Sequence, residues 1–193
     1  MRVFYAVNFP DYVKEALFES LPEIQKHTLK GSFTEKENFH VTLAFVGECE
    51  ADRTKDLIEA ANKAAAKSSL PPIKVTVSGL FTFARSGEEL LWAGVTTEPE
   101  NILYKINKAV IGELETIGIK IKDGDKKFTP HVTMARKVEF WRISGKDVQQ
   151  IKFLPVSFTV NSITLMESLQ EVKLYGEKKY TKIKYKPVYE CKF

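Results

Sequence analysis

Cysteine and histidine are scarce in this chain, and long apolar runs are missing. Two cysteines among 193 residues, Cys49 and Cys191, lie far apart. They are too few for a disulfide scaffold or a zinc framework, so both read as inert thiols. No apolar stretch approaches the ~20 residues that a membrane span requires. The first residues, Met1-Arg2-Val3-Phe4-Tyr5-Ala6, lack the basic region, apolar core and cleavage site of a signal peptide. A cytoplasmic location without a membrane partner is expected. Glycine-rich phosphate loops and dinucleotide fingerprints are missing. The histidine spacing fits no helical zinc motif, and Asp123-Gly124-Asp125 is too short for a calcium loop. No Ser or Cys sits at a recognisable nucleophile elbow. No cofactor and no metal are therefore expected. Glutamine is scarce beside lysine and glutamate, a bias that leans towards a heat-stable source.

What is present suits a folded protein. The composition is 44% hydrophobic and 28% charged, which excludes a disordered tail. The formal net charge of +4 is compatible with a polyanionic partner without demanding one. No linker or low-complexity segment interrupts the chain, and the turns at Arg85-Ser86-Gly87 and Asp123-Gly124-Asp125 read as tips. Residues 1–193 are expected to form one domain, or two lobes sharing one core, in a monomeric chain.

The pattern alternates strands and helices. Residues 2–9 read as a strand, followed by a helix that Asp11 caps and whose apolar face is Val13, Ala16, Leu17, Leu21 and Ile24. Pro22 should kink or split that helix. Residues 38–47 predict a strand and 51–68 a helix, with Leu57, Ile58, Ala61, Ala64 and Ala65 inward. Pro71-Pro72 ends that region. Ile73, Val75 and Val77 alternate with polar residues, as a half-buried strand does. The second half is expected to repeat this order. A strand covers Leu90 to Val95, and a helix covers 99–117 with Gly118 after its end. A strand follows over 127–136, then a short helix start at Ser144 and Asp147 that resembles a capping box. The last strands are expected near 155–167 and 171–186. Lys182, Lys184 and Lys186 share one face of the final strand, as a solvated or protected edge or, alternatively, a rail for a phosphate backbone.

The informative feature is an internal repeat. One copy is Asn38-Phe39-His40-Val41-Thr42-Leu43-Ala44-Phe45, the other Thr129-Pro130-His131-Val132-Thr133-Met134-Ala135-Arg136. The chain has three histidines, and two occupy matched places in it. On a strand, His and the Thr two residues later point the same way, roughly 6–7 Å apart, while Val41 and Val132 point into an apolar layer. Two such strands can place two imidazoles and two hydroxyls around one pocket. That set suits a phosphodiester. One histidine deprotonates a nucleophile and the other protonates the leaving oxygen. Thr42 and Thr133 hydrogen-bond the non-bridging oxygens. The third histidine, His27, lies near a helix end and reads as a surface or capping residue.

These residues resemble the 2H phosphoesterases, named for two His-x-Thr motifs. Among them the chain is similar to the RNA 2′,3′-cyclic phosphodiesterases, also called 2′-5′ RNA ligases. The segments Arg2-Val3-Phe4-Tyr5-Ala6, Asn38 to Gly47, Leu91-Trp92-Ala93-Gly94-Val95 and Pro130-His131-Val132-Thr133 stand in the order that family shows. Met134 replaces its more usual leucine. The resemblance implies an α+β, bilobal, pseudo-two-fold fold, two antiparallel sheets lining a central cleft with helices outside. It implies action on RNA ends or nucleoside 2′,3′-cyclic phosphates, with His40 as general acid and His131 as general base. Ligation of tRNA-like ends, or binding of a nucleotide or RNA without turnover, remain the alternatives. Lys36 and Lys127 each precede their histidine by four residues and, in regular strands, would share its face. Arg136 matches an arginine common in the family, yet its offset of five aims it at the other face unless a bulge intervenes. Trp92, Phe9 and Phe39 read mainly as core, with base stacking as the alternative.

Overall fold

The computed structural model describes residues 1–68, 72–85, 88–121, 127–141, 143, 146–175 and 178–193. Among the described residues, nine strands and three α-helices follow in the order β1 (Arg2–Asn8), α1 (Asp11–Gln25), β2 (Thr28–Phe33), β3 (His40–Glu48), α2 (Thr54–Ser68), β4 (Ile73–Arg85), β5 (Glu88–Glu98), α3 (Ile102–Thr116), β6 (His131–Phe140), β7 (Val156–Val160), β8 (Ser162–Tyr175) and β9 (Lys178–Lys192). Two antiparallel sheets result, one of order β3-β1-β8-β9 and one of order β2-β6-β5-β4-β7. The architecture is α+β and bilobal.

The helices form where apolar residues recur every three or four positions. Val13, Leu17, Leu21 and Ile24 bury one face of α1, while Ala16 is exposed. Pro10 is the N-cap and Asp11 the first helical residue, a one-place correction. Pro22 does not split the helix, which runs through it to Gln25. It stands in the last turn, where the helix ends three residues later. Leu57, Ala61 and Ala64 of α2 and Leu103, Ile106, Val110 and Leu114 of α3 are buried. After α3 the chain reverses at Gly118, whose φ of +78° suits glycine.

The halves of the chain are not the halves of the molecule. β2 comes from the first half but pairs with β6, and the C-terminal hairpin β8–β9 pairs with β1. The expected strand over 155–167 is two strands in different sheets, broken at Asn161. Residues 171–186 belong to a hairpin rather than one strand. The strand expected from 127 begins at His131, so residues 127–130 lie outside it. The expectations for Pro71, Ser86-Gly87, Asp123-Gly124-Asp125 and Ser144 lie outside the described residues.

Buried side chains from both sheets and all three helices form one continuous cluster. Alternation on β1 divides the first sheet. Val3, Tyr5 and Val7 face that cluster, where Tyr5 Oη donates to the Leu57 carbonyl of α2 at 2.7 Å. Phe4 and Ala6 face the other way and pack with Met166 and Tyr185. This second face carries the site.

Candidate active site

The two repeated motifs occupy equivalent irregular strands. In β3, Ala6 opposes Thr42 and Tyr5 opposes Ala44, so Leu43 is an extra residue. In β6, Trp92 opposes Thr133 and Leu91 opposes Ala135, so Met134 is extra. Each extra residue is a bulge that breaks the two-residue alternation. Leu43 and Ala44 are both buried, as are Met134 and Ala135. The residue five places after each histidine therefore returns to the histidine's face. Arg136 and Phe45 both line the cleft. The bulges have their own partners. Asn107 of α3, itself buried, donates to the Leu43 carbonyl at 2.7 Å, and the Thr34 N–H donates to the Met134 carbonyl at 2.9 Å.

The cleft has a volume of about 610 Å³, and His40, Thr42, His131, Thr133 and Arg136 all line it. Its two histidines are held alike. His40 Nδ1 lies 2.7 Å from the Asn38 carbonyl, and His131 Nδ1 lies 2.8 Å from the Thr129 carbonyl. A carbonyl only accepts, so in both rings Nδ1 carries the proton and Nε2 is left for chemistry. Thr42 Oγ1 stands 3.0 Å from His40 Nε2 and donates to it. Opposite His131 on β5 is Gly94, where a Cβ would lie 2.8 Å from the Ser78 carbonyl. No side chain fits there.

The electrostatics favour an anion. His40 is half-buried, and burial pushes its pKa down to about 4. The Asn38 carbonyl pulls the other way, while the positive charges of Arg136, His131 and Lys14 push it down further. Arg2 and Lys182 also line the cleft, against one acid, Glu35, among the described lining residues. Among the described residues, no group of three or more His, Cys, Asp or Glu side chains is arranged to hold a metal.

A family model described as the 2'-5' RNA ligase superfamily matches residues 13–171. The chain belongs to that superfamily. Similar proteins include an RNA 2′,3′-cyclic phosphodiesterase of Thermotoga maritima, 26% identical over all of this chain and 96% of the relative. One of the same name from Methanocaldococcus jannaschii is 28% identical over 70% of this chain and 71% of its own length. Among solved structures, E. coli LigT complexed with 3'-AMP superposes with a TM-score of 0.71 at 22% identity, covering 99% of this chain and 97% of that one. TT0787 of Thermus thermophilus gives 0.70 at 21%, covering 100% and 97%. The two superpositions show that this chain shares the fold of those two proteins.

Lys36 and Lys127 do not lie on the strands that carry the histidines. Lys36 lies in a single 3-10 turn before β3, not in a strand, and pairs with Glu15 at 2.7 Å. Lys127 is exposed and precedes β6. Neither lines the cleft, and the shared-face argument fails because the strands start at the histidines. Phe9 and Phe39 are buried in the core. Trp92 is sandwiched between Phe81 and Phe83 at centroid distances of 4.7 and 4.6 Å, with its edge contact to His131 at 5.8 Å. His27 follows α1, with Nε2 3.9 Å from Glu23. Lys182, Lys184 and Lys186 lie on β9, the edge of its sheet, where Lys182 pairs with Glu35 at 3.2 Å and Lys184 with Glu171 at 3.8 Å.

Several lining residues carried no sequence signal strong enough to single them out. Phe4 and Tyr185 each pack on His40 with centroids 5.0 Å apart. Arg2 sits over Phe45 at 5.0 Å. Phe45 was legible in principle, because it holds in the first motif the place that Arg136 holds in the second. Tyr185 was not, because β9 is remote in sequence from both motifs.

Proposed function

We propose that the chain is an RNA 2′,3′-cyclic phosphodiesterase that opens the cyclic phosphate by attack of water, leaving a 2′-phosphate and a free 3′-hydroxyl. The observation that carries this reading is the pair of imidazoles in one cleft, each committed through Nδ1 to the carbonyl two residues upstream. The activity for which the similar proteins from Thermotoga maritima and Methanocaldococcus jannaschii are named supports it.

In this mechanism Thr42, Thr133 and Arg136 hold the phosphate oxygens. His131 Nε2 takes a proton from water as its oxygen bonds to phosphorus. The bond from phosphorus to the 3′-oxygen breaks, and His40 Nε2–H protonates the departing oxygen. An imidazole with a pKa near 4 holds little proton at neutral pH in the empty cleft. A bound phosphodiester brings a negative charge beside it and offsets the field of Arg136, which raises that pKa and arms the acid. In this proposal residues 1–193 are one phosphoesterase domain, since one core cluster spans both sheets. It acts on RNA ends or nucleoside 2′,3′-cyclic phosphates. Its free cysteines, Cys49 and Cys191, suit the reducing cytoplasm.

The test is incubation with a nucleoside 2′,3′-cyclic phosphate and separation of the products. The 2′-nucleotide is expected. A 3′-nucleotide as main product overturns the regiochemistry, and binding without turnover makes the chain a nucleotide-binding module.

A further inference from the structure

The five residues from Thr34 to Asn38 are bonded to both walls of the cleft. At one end, Thr34 holds the bulge of the second motif twice. Its N–H donates to the Met134 carbonyl at 2.9 Å, and its hydroxyl donates to the Thr133 carbonyl at 2.8 Å. At the other end, the Asn38 carbonyl receives Nδ1–H of His40. The buried Asn38 side chain then grips the free edge of β9. Nδ2 donates to the Ile183 carbonyl at 2.8 Å, and Oδ1 accepts from the Tyr185 N–H at 3.1 Å. The amide thus supplies both halves of a strand pairing to an edge that carries no further strand among the described residues. Between the two ends, Glu35 pairs with Lys182 of β9.

The need for such a connection follows from the topology. β3 and β6 belong to different sheets, so no hydrogen-bonded ladder sets their spacing. In-line attack needs an acid and a base at a fixed separation across one phosphorus, and a misplacement of about 1 Å can cost about 10²-fold in rate. We infer that Thr34–Asn38 is a strap that fixes the two imidazoles relative to one another, with Thr34 and Asn38 as positioning residues. The inference rests on the two-histidine reading. Thr34 acts on Thr133 and on the bulge that aims Arg136. Asn38 acts on His40 by holding its own carbonyl still against β9, whose Tyr185 ring packs on the same imidazole.

The experiment uses Asn38→Ala, Thr34→Val and Thr34→Ser in the full chain, with two readouts. The first is kcat and KM on a nucleoside 2′,3′-cyclic phosphate. The second is the ¹⁵N imidazole spectrum of the free protein, which reports the tautomer of His40. Asn38→Ala keeps the backbone carbonyl and loses only the clamp. It is expected to lower kcat about 10- to 100-fold with KM changed less than about threefold, and to turn the pure Nδ1–H tautomer into a mixture. Thr34→Val is expected to lower kcat, and Thr34→Ser, which keeps the hydroxyl, to restore it. Wild-type kcat with an unchanged His40 tautomer in Asn38→Ala would overturn the strap. So would a serine variant no better than valine, or a raised KM at preserved kcat, which would make Thr34 a substrate contact. If Asn38→Ala does not fold, the valine and serine pair decides. If the wild type turns over no cyclic phosphate, the functional reading fails, while the tautomer comparison still judges the strap.

Discussion

An imidazole works through one nitrogen when the other is committed, and in both motifs the commitment comes from a backbone carbonyl. Asn38 and Thr129 differ as side chains, yet each presents its carbonyl to the histidine two residues on. The two rings are thus held alike at Nδ1, and their surroundings differ. His40 packs against Phe4 and Tyr185, and His131 against Phe83 and Trp92. His40→Ala and His131→Ala are each expected to remove nearly all activity, and the double variant to lose little more, as for groups acting as one unit. A substrate with a better 3′-leaving group should restore turnover to His40→Ala far more than to His131→Ala, because a good leaving group needs no acid. Equal restoration would reverse or dissolve the assignment.

At the scale of the element, the bulge is what converts a repeated pattern into a site. A regular strand would send Arg136 to the side away from His131, and Phe45 away from His40. One extra residue in each strand turns them back into the cleft. The cost of a bulge is an unpaired backbone group, and a buried carbonyl without a partner costs about 1–3 kcal/mol. In β3 that group is the Leu43 carbonyl, and α3 supplies Asn107 to meet it. Asn107→Leu keeps the number and branching of the side-chain heavy atoms and removes the donor. A loss of about 1–3 kcal/mol in urea unfolding is expected. A midpoint equal to that of wild type, with the same slope, would show that the bulge does not need Asn107.

Across the whole molecule, the burial that shapes the cleft also sets how folding responds to acid. The unfolded histidine titrates near ~6.5, whereas burial holds His40 near 4 in the folded chain. Between those values the unfolded state binds more protons at this site, so stability falls as pH drops through that window and levels off below it. The contribution is at most about 3 kcal/mol for a half-buried ring. Above pH ~6.5 it is constant. Unfolding of wild type and His40→Gln at both ends of the window isolates the effect, because the carboxylates titrate in both proteins. A wild type that loses no more stability than the variant would place the ring in a more solvated setting than the structure gives it.

By itself the sequence determined the matched His-x-Thr pair and most elements. A His-x-Thr repeat is local, so strand periodicity suffices to put His40 with Thr42 and His131 with Thr133 on shared faces. The same holds for the helical stripe of Leu103, Ile106, Val110 and Leu114, and for the Ile73, Val75 and Val77 strand. What the tertiary structure decided is everything that depends on partners distant in the chain. The break at Asn161 follows from the two flanking segments joining different sheets, which no local pattern encodes. The starts of β3 and β6 at their histidines removed Lys36 and Lys127 from the cleft, because hydrogen bonding across strands, not residue preference, ends a strand. The bulges brought in Arg136 and Phe45, since an extra residue is visible only against a neighbour's register. Asn38 and Thr34 gain their meaning from the carbonyls and edge groups of β6 and β9. Those groups meet them only when both sheets have closed around one cleft.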